Sequence, residues 1–300
     1  MIHWLIEPLS FEFMRNALMI GILLGILSAV VGSFLIVQQM GMMGDVIAHS
    51  VVPGLSIAFF LGLDLSIGAF IAGTLSALGV GWICSQSRVN ADAAMALVMS
   101  GFLALGVSLI EGLGTKTLDL HHILFGNILG VAPGDLWHTL AITLTILVFT
   151  KLFYKELLFY TFDPWGAKAS GLPVNWIYFG LIAAIALTAI ATMQAVGVLL
   201  VMALSIGPSL TVYLFGKELH EMMIGGAVIG ALSCVLGMYA SYYWNVPSGP
   251  AIALVVVLLF LLAFLFSPKS GILTQPHFAA SVSNLKQKLR RSHPSSRSKL

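Results

Sequence analysis

Charged side chains are scarce in this sequence. Only 9% of its 300 residues are Asp, Glu, Lys or Arg, whereas 59% are hydrophobic, and the mean hydropathy is +1.00. Because soluble domains carry about 25% charged residues, this composition excludes a soluble globular protein. It predicts an all-α, polytopic integral membrane protein built as a helical bundle, since a helix satisfies its own backbone hydrogen bonds in lipid.

Catalytic motifs are also lacking. The sequence has no His-Glu-x-x-His motif, no Gly-x-Ser-x-Gly elbow and no complete phosphate loop. The nearest fragment to a phosphate loop, Gly216-Lys217-Glu218, lacks the glycine that such a loop needs. We therefore predict a protein that is not an enzyme, does not itself hydrolyse ATP and holds no permanent cofactor.

Uncharged runs that could cross a bilayer recur along the whole chain. Most are close to the length of about 18 to 22 residues that a membrane helix needs. We predict nine spans, with eight as the alternative count. They are 17–37, 46–63, 65–84, 93–110, 136–150, 174–193, 195–216, 222–244 and 249–266. The run 136–150 is short and is expected to continue to Tyr154.

The two ends of the chain differ from the predicted membrane domain, residues 17–267. Residues 1–16 mix aromatic and acidic side chains, which favours an interfacial amphipathic segment. Residues 268–300 are basic and have no acidic residue, which predicts a disordered cytoplasmic tail that could contact anionic membrane lipid. With nine spans the basic loops fall inside, so the positive-inside rule favours an external amino terminus in the plasma membrane.

The stretch "GDVIAHSVVPG", residues 44–54, places an acid and an imidazole in an apolar segment. Asp45 and His49 are four positions apart, which puts both side chains on one side of a helix. A carboxylate oxygen and an imidazole nitrogen together suit divalent first-row metals. Pro53 removes the backbone donor that would bond the carbonyl of His49.

Two simpler interpretations of this pair stay open on spacing alone. Asp45 follows Gly44 at a predicted helix start, where a carboxylate can cap exposed backbone amides. His49, one turn deeper, could reach lipid headgroups or bond a neighbouring helix. Spacing alone does not decide between these interpretations and a metal contact.

Four stretches of the sequence resemble the motifs of one transporter family. They are "QQMGMMGDVIAHSVVPGLSIAFFLG", "FDPWGAKASGLPVNW", "VGVLLVMALSIGPSLTVYLF" and "SYYWNVPSGPAIAL". In this order they are similar to the motifs of the ABC-type manganese, zinc and iron permeases, the ABC-3 family. The likeness covers residues 15 to 267 and is greatest to the manganese branch.

The resemblance implies a homodimeric permease with two kinds of partner. Each subunit would dock a cytoplasmic ATP-binding subunit, and an extracytoplasmic metal-binding protein would deliver the ion; no nucleic-acid partner is expected. Asp45 and His49 match the pair that lines the ion path in the family. The cytoplasmic coupling segment, 160–173, carries four residues that match the helix transmitting ATPase movement: Asp163, Ala167, Gly171 and Pro173.

The predicted cargo is a divalent transition metal, because the pair offers no thiolate for softer ions. Mn²⁺ is preferred because the resemblance is greatest to the manganese branch. A zinc or iron permease of the same family is the alternative. An ion-coupled secondary carrier is a more distant one, because such carriers usually hold several intramembrane carboxylates. In this sequence only Asp45 qualifies as such a carboxylate.

Overall fold

The computed structural model describes residues 7–113, 133–216 and 218–267. Within these ranges the chain is helical between short turns and contains no β-strand. A 3₁₀ turn, Pro8–Ser10, precedes the α-helices. These are α1 (Glu12–Val37), α2 (Met43–Ser50), α3 (Val52–Leu61), α4 (Leu65–Gln86), α5 (Ala91–Gly112), α6 (Pro133–Leu152), α7 (Tyr154–Phe162), α8 (Pro164–Ala169), α9 (Val174–Val196), α10 (Val198–Tyr213), α11 (Leu219–Trp244) and α12 (Ser248–Phe266).

Eight of these helical stretches are long and apolar enough to cross a membrane. The helices α2 and α3 together form one such stretch, Met43–Leu61, and the others are α1, α4, α5, α6, α9, α11 and α12. This confirms an all-α, polytopic membrane bundle, with eight stretches of spanning length among the described residues.

The predicted ninth span, 195–216, is the exception. It becomes α10, a helix of 16 residues with Pro208 in its interior. A helix of that length reaches about 24 Å, which is less than the hydrocarbon thickness of about 30 Å. Gly197, at φ +88° and ψ 164°, separates it from α9. Val196 and Val198 on either side of Gly197 are buried, so α10 begins within the bundle rather than at its surface.

Helix α1 lies at the centre of the bundle, and small residues let its neighbours approach closely. A Cβ added to Gly25 would lie 2.7 Å from the carbonyl carbon of Gly230 on α11. The Ser28 and Thr192 hydroxyls are 3.2 Å apart and join α1 to α9. The Ser209 hydroxyl on α10 donates to the Ala29 carbonyl at 2.7 Å. Glycine contacts and hydroxyl bonds of this kind replace hydrophobic burial as the cohesion between helices in lipid.

One end of the bundle collects several turns that are far apart in the sequence. The Ser267 hydroxyl, after α12, donates to the Leu214 carbonyl, after α10, at 2.7 Å. The Gln38 side chain, after α1, contacts Thr161 on α7. We call this the Gln38 end; the coupling segment 160–173 therefore lies there, beside the turn that leads from α1 into α2.

Three predicted features meet the limits of the described residues. Residues 12–16, predicted as part of the interfacial segment, form the first turns of α1, so no helix boundary separates them from residue 17. Most of the loop 111–135 lies outside the described residues. The basic tail, 268–300, lies outside them entirely, and its assignment remains a prediction.

Candidate metal path and coupling segment

Asp45 and His49 are paired on α2. His49 Nε2 lies 3.3 Å from Asp45 Oδ1, and the two side chains are 32% and 14% exposed, respectively. Helix α2 begins at Met43, and its cap residue, Met42, makes no side-chain capping bond. The Asp45 carboxylate pairs with the imidazole one turn on, which is the placement that the four-residue spacing predicted.

The backbone beside this pair is interrupted. Val51 separates α2 from α3, and Pro53 occupies the first turn of α3. Because proline has no N–H, residue 53 cannot donate to the His49 carbonyl as a regular helix would require. The His49 carbonyl therefore lacks the backbone donor that a regular helix would supply at position 53.

The rest of α2 is packed against neighbouring helices. A Cβ at Gly44 would lie 3.5 Å from Val201 Cγ1 on α10, and a Cβ at Gly73 on α4 would lie 3.0 Å from Ile47 Cγ2. Val46, Ile47 and Ala48 are buried. The side of α2 that carries Asp45 and His49 is thus the side that this chain leaves partly uncovered.

The predicted coupling residues form one compact turn of chain. The Asp163 carboxylate accepts a hydrogen bond from the Gly166 amide at 2.8 Å and so caps α8. Ala167 is fully buried, which seats α8 against the bundle. Gly171 adopts φ +82°, a conformation that glycine enters without steric penalty. Pro173 is the cap residue of α9.

Trp165 is a candidate functional residue that the sequence analysis missed. It lies in the first turn of α8 and is 80% exposed. A large aromatic side chain held out from a short, well-seated helix is typical of an interface anchor. The signal was present in "FDPWGAKAS", since tryptophan beside a helix-starting Asp-Pro is costly to expose without a partner.

A second group of metal-capable side chains lies at the Gln38 end. Ligand atoms of Glu218, His220 and Glu221 lie within 4.8 Å of one another, and all three residues are exposed. His220 Nδ1 is 3.3 Å from Glu218 Oε2. The group sits at the amino end of α11, where the helix dipole favours anions over cations, so we interpret it as solvated charge.

Comparison with known proteins places this architecture in a family. Residues 10–267 match the ABC 3 transport family. The chain belongs to that family. It is 43% identical to the manganese transport system membrane protein MntC of Halalkalibacterium halodurans over 269 residues, covering 90% of this chain and 92% of that protein. It is 41% identical to MntC of Listeria monocytogenes over 265 residues, covering 88% of this chain and 94% of that protein.

A solved structure agrees with the family assignment. The structure described as PsaBC from Streptococcus pneumoniae in complex with Fab superposes with a TM-score of 0.79 at 40% sequence identity. The match covers 90% of this chain and 98% of the other. The resemblance that the sequence motifs indicated is therefore confirmed, and so is a multi-pass transport protein of the plasma membrane.

Proposed function

We propose that this chain is the permease subunit of an ATP-driven importer that carries Mn²⁺ across the plasma membrane through Asp45 and His49. The observation that carries the proposal is the 3.3 Å pairing of these two side chains on an otherwise packed, apolar helix. The two relatives named as manganese transport proteins support the choice of cargo.

Asp45 and His49 together suit a transported metal ion, which must be released after it binds. A carboxylate oxygen and a borderline imidazole nitrogen bind divalent first-row metals, and the absence of a thiolate disfavours softer ions. Two side chains are fewer ligands than the four of a closed structural site. Incomplete coordination of this kind lets an ion bind and move on, which conduction requires.

A second copy of the chain would complete the path. The side of α2 that carries Asp45 and His49 stays partly exposed, whereas Val46, Ile47 and Ala48 are buried. A twofold axis facing this side would bring two carboxylates and two imidazoles to one pathway. The homodimer thus supplies up to four ligands without a cage in either subunit.

Energy and delivery come from partner proteins in this proposal. The segment that carries Asp163, Ala167, Gly171 and Pro173 docks a cytoplasmic ATP-binding subunit, and that subunit hydrolyses ATP. Trp165 serves as its exposed anchor, because hot spots at interfaces are enriched in tryptophan. An extracytoplasmic metal-binding protein delivers the ion to the opposite side.

The experiment is the metal content of cells lacking this chain, grown with manganese or zinc limiting in turn. We expect a manganese deficit that the restored wild-type chain corrects. Because Zn²⁺ binds a given nitrogen and oxygen site more tightly than Mn²⁺, excess Zn²⁺ should also slow manganese uptake. A zinc deficit with normal manganese would favour a zinc permease, and an unchanged content of both metals would refute import of manganese and of zinc.

A further inference from the structure

A single side-chain hydrogen bond joins the coupling segment to the turn before the metal pair. Gln38 Nε2 donates to Thr161 Oγ1 at 3.4 Å, in a half-buried position, between residues that are 123 positions apart. Gln38 follows α1 immediately, and Thr161 lies in the last turn of α7. Thr161 lies at the start of the coupling segment but before α8, and Gln38 lies before α2.

The Gln38 side of this contact is a stiff turn. The Gln39 amide donates to the Ile36 carbonyl at 3.1 Å, and the Met40 amide donates to the Leu35 carbonyl at 2.8 Å. These two bonds, with Gln39 at φ +58°, form the motif that commonly ends a helix with glycine in the left-handed position. A turn closed by two backbone bonds transmits displacement rather than absorbing it.

The same turn runs directly into α2. The Met43 amide donates to the Met40 carbonyl at 2.9 Å, and the Asp45 amide donates to the Met42 carbonyl at 3.1 Å. Asp45 therefore belongs to the first turn of the helix that this loop starts. A shift of the loop relative to the bundle would move Asp45 with it.

The Thr161 side is just as tightly linked to α8. The Asp163 amide donates to the Phe159 carbonyl at 2.9 Å at the end of α7, and the Ala167 amide donates to the Asp163 carbonyl at 2.9 Å in α8. Asp163 is thus the shared joint of the two helices. Leu157 on α7 is buried, so α7 is packed against the rest of the bundle.

We propose that Gln38 and Thr161 are positioning residues that pass a displacement of α7 and α8 to α2, and so to Asp45 and His49. This inference rests on the proposed function, because it assumes that α8 docks the ATPase and that the pair contacts the ion. The proposal is supported by a direct contact between two segments that are each held by backbone hydrogen bonds. One is the turn that leads from Gln38 into α2, and the other is the segment formed by α7 and α8. Without the contact, α8 can follow the ATPase while α2 lags.

The test is the number of Mn²⁺ ions imported per ATP hydrolysed by the full complex in phospholipid vesicles. Thr161→Val removes the hydroxyl and keeps the shape of the side chain. We expect uptake per ATP to fall about threefold to tenfold, the range set by one hydrogen bond, with the ATPase still bound and active. Thr161→Ser, which keeps the hydroxyl, should restore the ratio.

The matched control is Thr150→Val. The Thr150 hydroxyl is buried and donates to the Ile146 carbonyl at 2.8 Å, within its own helix. This variant also loses a threonine hydroxyl and its hydrogen bond, but that hydroxyl donates to the backbone of its own helix and joins no two helices, so its coupling ratio should equal that of the wild type. A Gln38→Leu variant should behave as Thr161→Val does, and the double variant should be no worse than either, because both remove one shared interaction.

The outcomes separate this inference from the proposed function. Equal ratios for Thr161→Val and Thr150→Val, or additive losses in the double variant, would overturn the transmitting role while leaving metal import intact. A wild-type complex that hydrolyses ATP but imports no Mn²⁺ would overturn the proposed function, and the inference with it.

Discussion

The proposed metal-binding helix α2 and the proposed coupling helix α8 share one structural arrangement: each has a buried side and an uncovered side. In α2 the buried Ile47 fixes the helix, and the uncovered side presents Asp45 and His49. In α8 the buried Ala167 fixes the helix, and the uncovered side presents Trp165. What differs is the chemistry offered: a polar pair suits an ion, whereas an aromatic ring suits a protein surface. The comparison predicts that changes in α2 alter transport itself and changes in α8 alter assembly.

The largest expected effect is that of Asp45→Ala on uptake. Loss of even an outer-shell partner lowers metal affinity by 10–100-fold, so loss of the carboxylate itself should cut Mn²⁺ uptake by more than about 100-fold. Protein level should stay near normal, because removing a charge from a membrane segment makes insertion easier. The measurement is Mn²⁺ uptake normalised to chain present in the membrane.

The control for that change is Asp92→Ala, which removes an exposed carboxylate from the first turn of α5. Its uptake should match the wild type. Normal uptake by the Asp45→Ala variant would instead show that the carboxylate serves only the local structure of α2.

A smaller effect is expected from Trp165→Ala, which should weaken ATPase association by about 30-fold, the loss of one interface hot spot of about 2 kcal/mol. Trp176→Ala is the matched control: Trp176 is 78% exposed, close to the 80% of Trp165, but lies in the first turn of the span α9. Binding of the ATPase to the purified chain measures both. Equal affinities for the two variants would remove Trp165 from the interface.

The smallest effect separates backbone strain from docking. Gly171 and Gly62 have φ values of +82° and +67°, and a Cβ at either would meet no other atom within 4 Å. Valine at either site should therefore cost a similar strain, about 1–2 kcal/mol, measured as a lowered melting temperature. Only Gly171→Val should also reduce ATPase association, because Gly62 lies between α3 and α4. A loss of association in both variants would mean that strain alone explains it.

The long helices could be predicted from hydropathy because each is an uninterrupted apolar stretch. The helix α10 could not, since its sequence is as apolar as a span. It begins at Gly197 inside the bundle, and a turn buried by tertiary packing leaves no polar signal in the sequence. The division between α2 and α3 was partly visible, because Pro53 marks a missing backbone donor.

In the candidate site, too, features set by neighbouring residues could be predicted from the sequence, whereas contacts between distant residues could not. The pairing of Asp45 with His49 follows from a four-residue spacing, and the cap at Asp163 follows from the residue type. The contact of Gln38 with Thr161 joins positions that are 123 residues apart. Only the packing of α7 beside the end of α1 brings these two together, so no local pattern predicts it.

The most direct test of the central claim is electron paramagnetic resonance of Mn²⁺ bound to the purified complex with histidine labelled by ¹⁵N. The account predicts a hyperfine coupling from a histidine nitrogen that disappears in His49→Ala and persists in His220→Ala, whose imidazole lies in the exposed group at the Gln38 end. Bound Mn²⁺ with no histidine coupling in the wild-type complex, or a coupling that survives His49→Ala, would contradict it.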